Sequence, residues 1–244
     1  TQTGTYTLTG AGTGAKFLGI LFNGSVGGAT TNVNNNTVAA VSMTGVTGLG
    51  TTTASPFTGI LLQEGNIISN GNTIGSQSLA GSLTFSTTTT SGTEIYGIHN
   101  FTSNAWTSNN NTVGGISVTN LGASGTVLLI GIRAFTGTTV TWNATGNTVG
   151  GSVANSMQLN ATGAASQVLG MFTSNAPAVL TSNTVRNLTN NIGTGTTTTA
   201  SVIGISITSG TPNSTLTQNT ISNLTNTNAA AAAVVTGIQF NGAT

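Results

Sequence analysis

The chain has 244 residues and 2% of them are charged; Lys16, Glu64, Glu94, Arg133 and Arg186 are the whole ionic inventory, His99 is the one imidazole, and the net charge is +1. An average globular domain is roughly a quarter charged, so clustered Lys or Arg for nucleic-acid phosphate is missing, as is the basic patch an anionic membrane surface needs. There is no Cys, which removes disulfides and thiolate metal sites, and no apolar run approaches the ~18 residues of a spanning helix.

Hydrophobic residues make up 36% of the chain and Pro occurs three times, a composition for ordered β structure rather than disorder. Residues 1–16 open with a strand-like alternation from Thr3 to Gly10 and read as a partial first coil. From residue 17 onward two markers alternate. The first is Gly followed by Ile or Met, at Gly19-Ile20, Gly59-Ile60, Gly97-Ile98, Gly131-Ile132, Gly170-Met171, Gly204-Ile205 and Gly237-Ile238. The second is an Asn-Thr-Val/Ile triplet beginning at Asn36, Asn72, Asn111, Asn147, Asn183 and Asn219, at intervals of 36, 39, 36, 36 and 36 residues.

Each Gly precedes the next triplet by 13 to 17 residues, and each triplet precedes the next Gly by 18 to 25, so the variable loop belongs to the second segment. Apolar residues flank every Gly and alternate with polar ones around every triplet, the period of a strand with one buried face. No sustained 3.6-residue period is present, so no significant helix is expected. Repeats of short strands that cannot bury their own apolar face must stack on their neighbours. The expected fold is therefore all-β: one continuous single-stranded parallel β-solenoid over 1–244, with six to seven coils of about 36 residues. Two coils of 18 residues per repeat is the competing count, and the uneven spacing speaks against it. Parallel stacking places equivalent residues one above another at ~4.8 Å. The triplet Asn residues then form an amide ladder, the Gly-Ile positions form an internal column, and each Gly marks a bend or a place too crowded for a Cβ.

Residues 203–224, from Ile-Gly-Ile-Ser-Ile to Asn-Thr-Ile-Ser-Asn-Leu, resemble the right-handed parallel β-helix repeat, and the likeness covers the chain from about residue 17. The Thr/Asn-rich, charge-poor form is similar to long repeat proteins on bacterial surfaces. The resemblance implies a right-handed helix and an extracellular, cell-surface setting; the long coil departs from the family's usual shorter one.

Polysaccharide-cleaving members of that fold need paired carboxylates or a base beside a carboxylate-bound metal. Here Glu64 and Glu94 lie on adjacent coils but eight positions out of phase, so no enzyme, metal or cofactor is expected. His99 and Arg133 both sit two residues after their Gly, as vertical neighbours on an outer face. They form either a small polar binding spot or a position that accepts any residue, since other coils place Leu21, Leu61, Phe172, Ser206 and Gln239 there. Trp106 and Trp142 share a phase five residues before their triplets. They are either a platform for a sugar ring or an aromatic stack filling a wide corner in line with Ile67.

Sequons such as Asn100-Phe-Thr and Asn143-Ala-Thr make glycosylation an option. Neither end carries the charges or Pro that protect a solenoid edge, so the chain is expected to be part of a longer array or one subunit of a head-to-tail filament. The leading expectation is a non-enzymatic structural protein, a fibre, sheath or adhesin stalk whose partner is itself. The alternatives are a surface adhesin or phage-type receptor-binding segment that takes surface glycans, and an ice-binding solenoid.

Overall fold

A computed structural model describes residues 5–9, 14–24, 29–46, 54–88, 90, 92–102, 104–122, 125–135, 140–161, 165–192, 201–208, 213–227 and 233–241. The chain is an all-β parallel β-solenoid of about five turns of ~36 residues, with essentially no helix among the described residues. The expected six to seven coils counted incomplete ones at the two ends. All strand pairs among the described residues are parallel, and they join coil to coil in three sheets of seven, six and eleven strands.

The Gly-Ile sheet comprises Phe17–Asn23, Phe57–Gln63, Thr93–Phe101, Val127–Ala134, Gln167–Thr173, Ser201–Ile207 and Val234–Phe240. Its register pairs Ile20 with Ile60, Ile60 with Ile98, and so on through Ile132, Met171, Ile205 and Ile238. Strict alternation fails at the Gly. The residue two before it and the residue one after it both join the main core, as Leu129 and Ile132 do around Gly131. An added Cβ at Gly131 would stand 2.3 Å from Val149 Cγ1 and 2.7 Å from the carbonyl oxygen of Gly170. Gly19, Gly59, Gly97, Gly170 and Gly204 face the triplet Val or Ile of their own coil and the next Gly carbonyl in the same way. The Gly and the triplet Val/Ile are thus two halves of one contact across the core, which is why both recur.

The second sheet holds Thr31–Asn32, Ile67–Asn70, Trp106–Asn109, Trp142–Thr145, Ala178–Thr181 and Thr215–Thr217. It turns into the third at a corner whose first residue is left-handed in every coil: Asn35, Gly71, Asn110, Gly146, Ser182 and Gln218 have φ between 54° and 67°. The triplet Asn follows. Asn36, Asn72, Asn111, Asn147 and Asn183 each donate from backbone N and from Nδ2 to Oδ1 of the next Asn, at 2.9–3.0 Å, ending on Asn219. From Asn72 onward Nδ2 also reaches a backbone carbonyl one coil back, as Asn147 does to Ser108 at 2.8 Å. Asn72, Asn111, Asn147 and Asn183 are fully buried, and the ladder meets the requirement that buried amides be paired.

The third sheet has a strand beyond the triplet that the sequence reading did not separate: Val41–Val46, Leu83–Thr87, Ile116–Asn120 and Met157–Ala161, fused with the triplet strand in Thr184–Ile192 and Thr220–Asn226. In two coils, loops 76–82 and 150–156 rise between the two strands. They bridge the intervening coil, where Ser152 donates from its backbone N (2.6 Å) and Oγ (3.0 Å) to the Gln77 carbonyl. Gly114 and Gly115 lie beneath them; a Cβ on Gly115 would meet Ser82 Oγ at 2.3 Å.

Candidate functional site

Because the Gly shifts the alternation, the outward positions of the Gly-Ile sheet are three before, one before and two after it. In the third and fourth coils those positions bring together Glu94, Tyr96, His99 and Arg133. His99 and Arg133 are paired in register, as their shared phase requires, but neither is a surface residue: His99 is fully buried and Arg133 is 6% exposed. Arg133 Nη1 donates to Glu94 Oε2 at 2.8 Å. The Tyr96 hydroxyl donates to the same carboxylate oxygen and accepts from Arg133 Nη1. The guanidinium carbon lies 5.3–5.5 Å from the ring centres of Tyr96, Phe135 and Phe172, the geometry of a cation–π contact in a poorly solvated place.

Same-phase reasoning could not find the Glu94–Arg133 pair, because the two are five positions apart in phase and meet diagonally through a long side chain. The sequence signal was there in Glu94 and Tyr96, two outward positions of one strand. The only other carboxylate, Glu64, is exposed at the corner after Phe57–Gln63, with φ of 62°. The cluster therefore holds one carboxylate, already engaged by a cation and a phenol. Its chemistry is that of a closed ion pair, which costs several kcal/mol to leave half-made.

The His99 ring stacks on Tyr96 at 4.1 Å with 28° between planes, and neither ring nitrogen has a hydrogen-bond partner among the described residues. Burial first, and the nearby Arg133 second, hold its pKa well below the usual 6.5. The folded state thus keeps a neutral imidazole, whereas the unfolded chain binds a proton near pH 6.5. Stability is full above that pH and falls as pH drops, until the folded imidazole itself titrates. Urea midpoints measured between pH 7.5 and about pH 5 are expected to fall for the wild type and to change less in His99→Phe.

Trp106 and Trp142 are in register with each other and with Ile67 and Ala178. Their rings stack at 5.3 Å with 6° between planes. Both are fully buried, and their Nε1 groups donate to Ser69 Oγ at 2.9 Å and Ser108 Oγ at 3.1 Å. The sugar platform is corrected: these indoles fill the inside of the coil, each polar handle is satisfied from the coil before, and no ring face is open to a ligand. The sequon Asn100 is fully buried, while Asn143 is exposed.

On the outside, triplet residues Thr37, Thr73, Thr112, Thr148, Thr184 and Thr220 stand in register, but loops 76–82 and 150–156 interrupt the face beside them. Among the described residues no helix is long and apolar enough to cross a membrane. No family model, curated protein or solved structure matches the chain.

Proposed function

We propose that this chain is a non-enzymatic structural solenoid of the cell exterior, a fibre, sheath or adhesin stalk whose coils stack on further coils of the same kind. One observation carries the reading: the core columns run out to solvent. Val235, Ile238 and Phe240 occupy the same inward positions as the fully buried Val202, Ile205 and Ile207 one coil earlier, yet they are 49%, 47% and 51% exposed. At the other end Phe17, Ile20 and Phe22 are only partly buried. Exposed strand edges with an apolar interior template another strand, and a net charge of +1 supplies little repulsion against it.

The occupant this reading assigns to those ends is a coil of a second copy of the chain. Concentrated protein imaged by cryo-electron microscopy is expected to show rods longer than one chain, with a ~4.8 Å axial repeat that continues across chain boundaries. Only dispersed monomers with closed ends at high concentration would overturn the reading.

A further inference from the structure

Among the described residues the three sheets do not end level. At one end the Gly-Ile sheet runs a strand further than the others: Val234–Phe240 lies on Ser201–Ile207, while the second and third sheets stop a coil earlier at Thr215–Thr217 and Thr220–Asn226. At the opposite end it is the third sheet that runs a strand further, with Tyr6–Thr9 lying on Val41–Val46 beyond Phe17–Asn23 and Thr31–Asn32. Each end is therefore a step, and the two steps stand on different sheets.

Such steps fit each other when unlike ends meet. With Val234–Phe240 of one copy and Tyr6–Thr9 of the next on one level, the first strand lies on the next copy's Phe17–Asn23. The second lies on Thr220–Asn226 of the first copy. Two sheets then continue through the joint, and only the second sheet and the triplet corner are short of one strand. Two like ends would instead meet strand against strand on a single sheet and hold the other two sheets two strands apart, leaving more backbone donors and acceptors unpaired. Unlike ends also keep every pair parallel, as within the chain, whereas a strand paired with its own copy across a two-fold axis is antiparallel. Carrying the register of the sheets one step on sets Ile238 over Ile20, Phe240 over Phe22 and Leu224 over Tyr6. Ile238, Phe240 and Tyr6 are about half exposed or more in the single chain, at 47%, 51% and 58%, and the joint covers all three.

We propose that copies of this chain join by unlike ends in this stepped lap, Val234–Phe240 pairing with Phe17–Asn23 and Thr220–Asn226 with Tyr6–Thr9, so that the resulting fibre is polar. The joint rests on the stacking proposed above and gives it a direction and a register.

The chain has no Cys, so introduced thiols report the joint cleanly. The register sets Gln239 over Leu21 and Thr225 over Thr7 across it, each pair ~4.8 Å apart, which a disulfide can span. Leu21, Thr7 and Thr225 are exposed and Gln239 is half-buried, so the substitutions spare the core. Concentrated equal mixtures of Gln239→Cys with Leu21→Cys, oxidised with diamide, should give about tenfold more disulfide-linked dimer than either variant alone, because the stack holds the thiols together. Thr225→Cys with Thr7→Cys should do the same on the other sheet, and decides the matter if the first pair fails to fold or to form rods. Gln239→Cys with Asn23→Cys, two positions out of register and about 8 Å apart, should stay at background, with mass spectrometry locating each bridge. Dimer from a single variant at the yield expected of the mixture would mean that like ends meet and would overturn the joint, as would bridging to Asn23 in place of Leu21. Rods in micrographs with neither bridge also overturn it but leave the stacking standing. Dispersed monomers of wild type and variants alike overturn both.

Discussion

Gly131→Ala should destabilise the chain by about 3 kcal/mol, although it adds only one methyl group. That methyl has no room on either side. Val149 Cγ1 is 2.3 Å from where it would sit and the Gly170 carbonyl oxygen is 2.7 Å away. The first neighbour is a side chain and can be trimmed; the second is backbone held by strand pairing to the next coil and cannot move without opening the sheet. The clash therefore divides into a part that Val149→Ala relieves and a part that it does not. Alone, Val149→Ala leaves a cavity in a fully buried site and costs about 2 kcal/mol. The double variant should be more stable than the sum of the singles by about 1 kcal/mol. Urea unfolding of the four proteins checks the sign of that coupling; simple additivity would mean that the Gly170 carbonyl, and not Val149, is what denies the methyl its space. Gly237, whose added Cβ would meet nothing within 4 Å, is the internal control, and Gly237→Ala should be near neutral.

That contact explains what could be read from sequence and what could not. In a parallel stack, vertical neighbours share a phase, so anything that depends on like sitting over like leaves a period in the chain. The Asn ladder, the Gly column, the Ile column and the Trp pair are all of that kind. Contacts that cross phase leave no such period. Glu94 and Arg133 meet diagonally, and loops 76–82 and 150–156 join across the coil between them. Burial of the outer face is also silent in the sequence. Alternation says that Tyr96, Ile130, Leu169 and Ile203 point away from the main core, but not that they form a second apolar cluster of their own. The strand after the triplet did leave a signal in Leu83-Thr84-Phe85 and Ile116-Ser117-Val118. It was hidden because loops of different length separate it from the triplet, so its distance from either marker is not constant.

The ladder gives the largest expected effect, and position along it sets the size. Asn147 Oδ1 accepts from the backbone N (3.0 Å) and Nδ2 (2.9 Å) of Asn111, while its own amide serves Asn183 Oδ1 and the Ser108 carbonyl. Asn147→Ala leaves the Asn111 backbone N–H, one of the two Asn111 side-chain N–H groups (the other still reaches the Ser69 carbonyl) and the Ser108 acceptor without partners, in a place no water reaches from outside, since Asn111 and Asn147 are fully buried. At about 1–3 kcal/mol for each orphaned group, the expected loss is about 4 kcal/mol. Asn36 is half-buried, and no earlier Asn in the ladder donates to its Oδ1; solvent can replace what Asn36→Ala removes, so about 1 kcal/mol is expected there. Because a solenoid's stability is a sum of coils and the interfaces between them, the Asn147 loss is concentrated where the fourth coil meets its neighbours. Amide exchange should quicken first around Thr112, Thr148 and Thr184, whose backbone N–H groups bond to carbonyls of adjacent ladder Asn residues at 2.8 Å. Equal losses at Asn36 and Asn147 would show that the ladder orders the corner without holding the coils together.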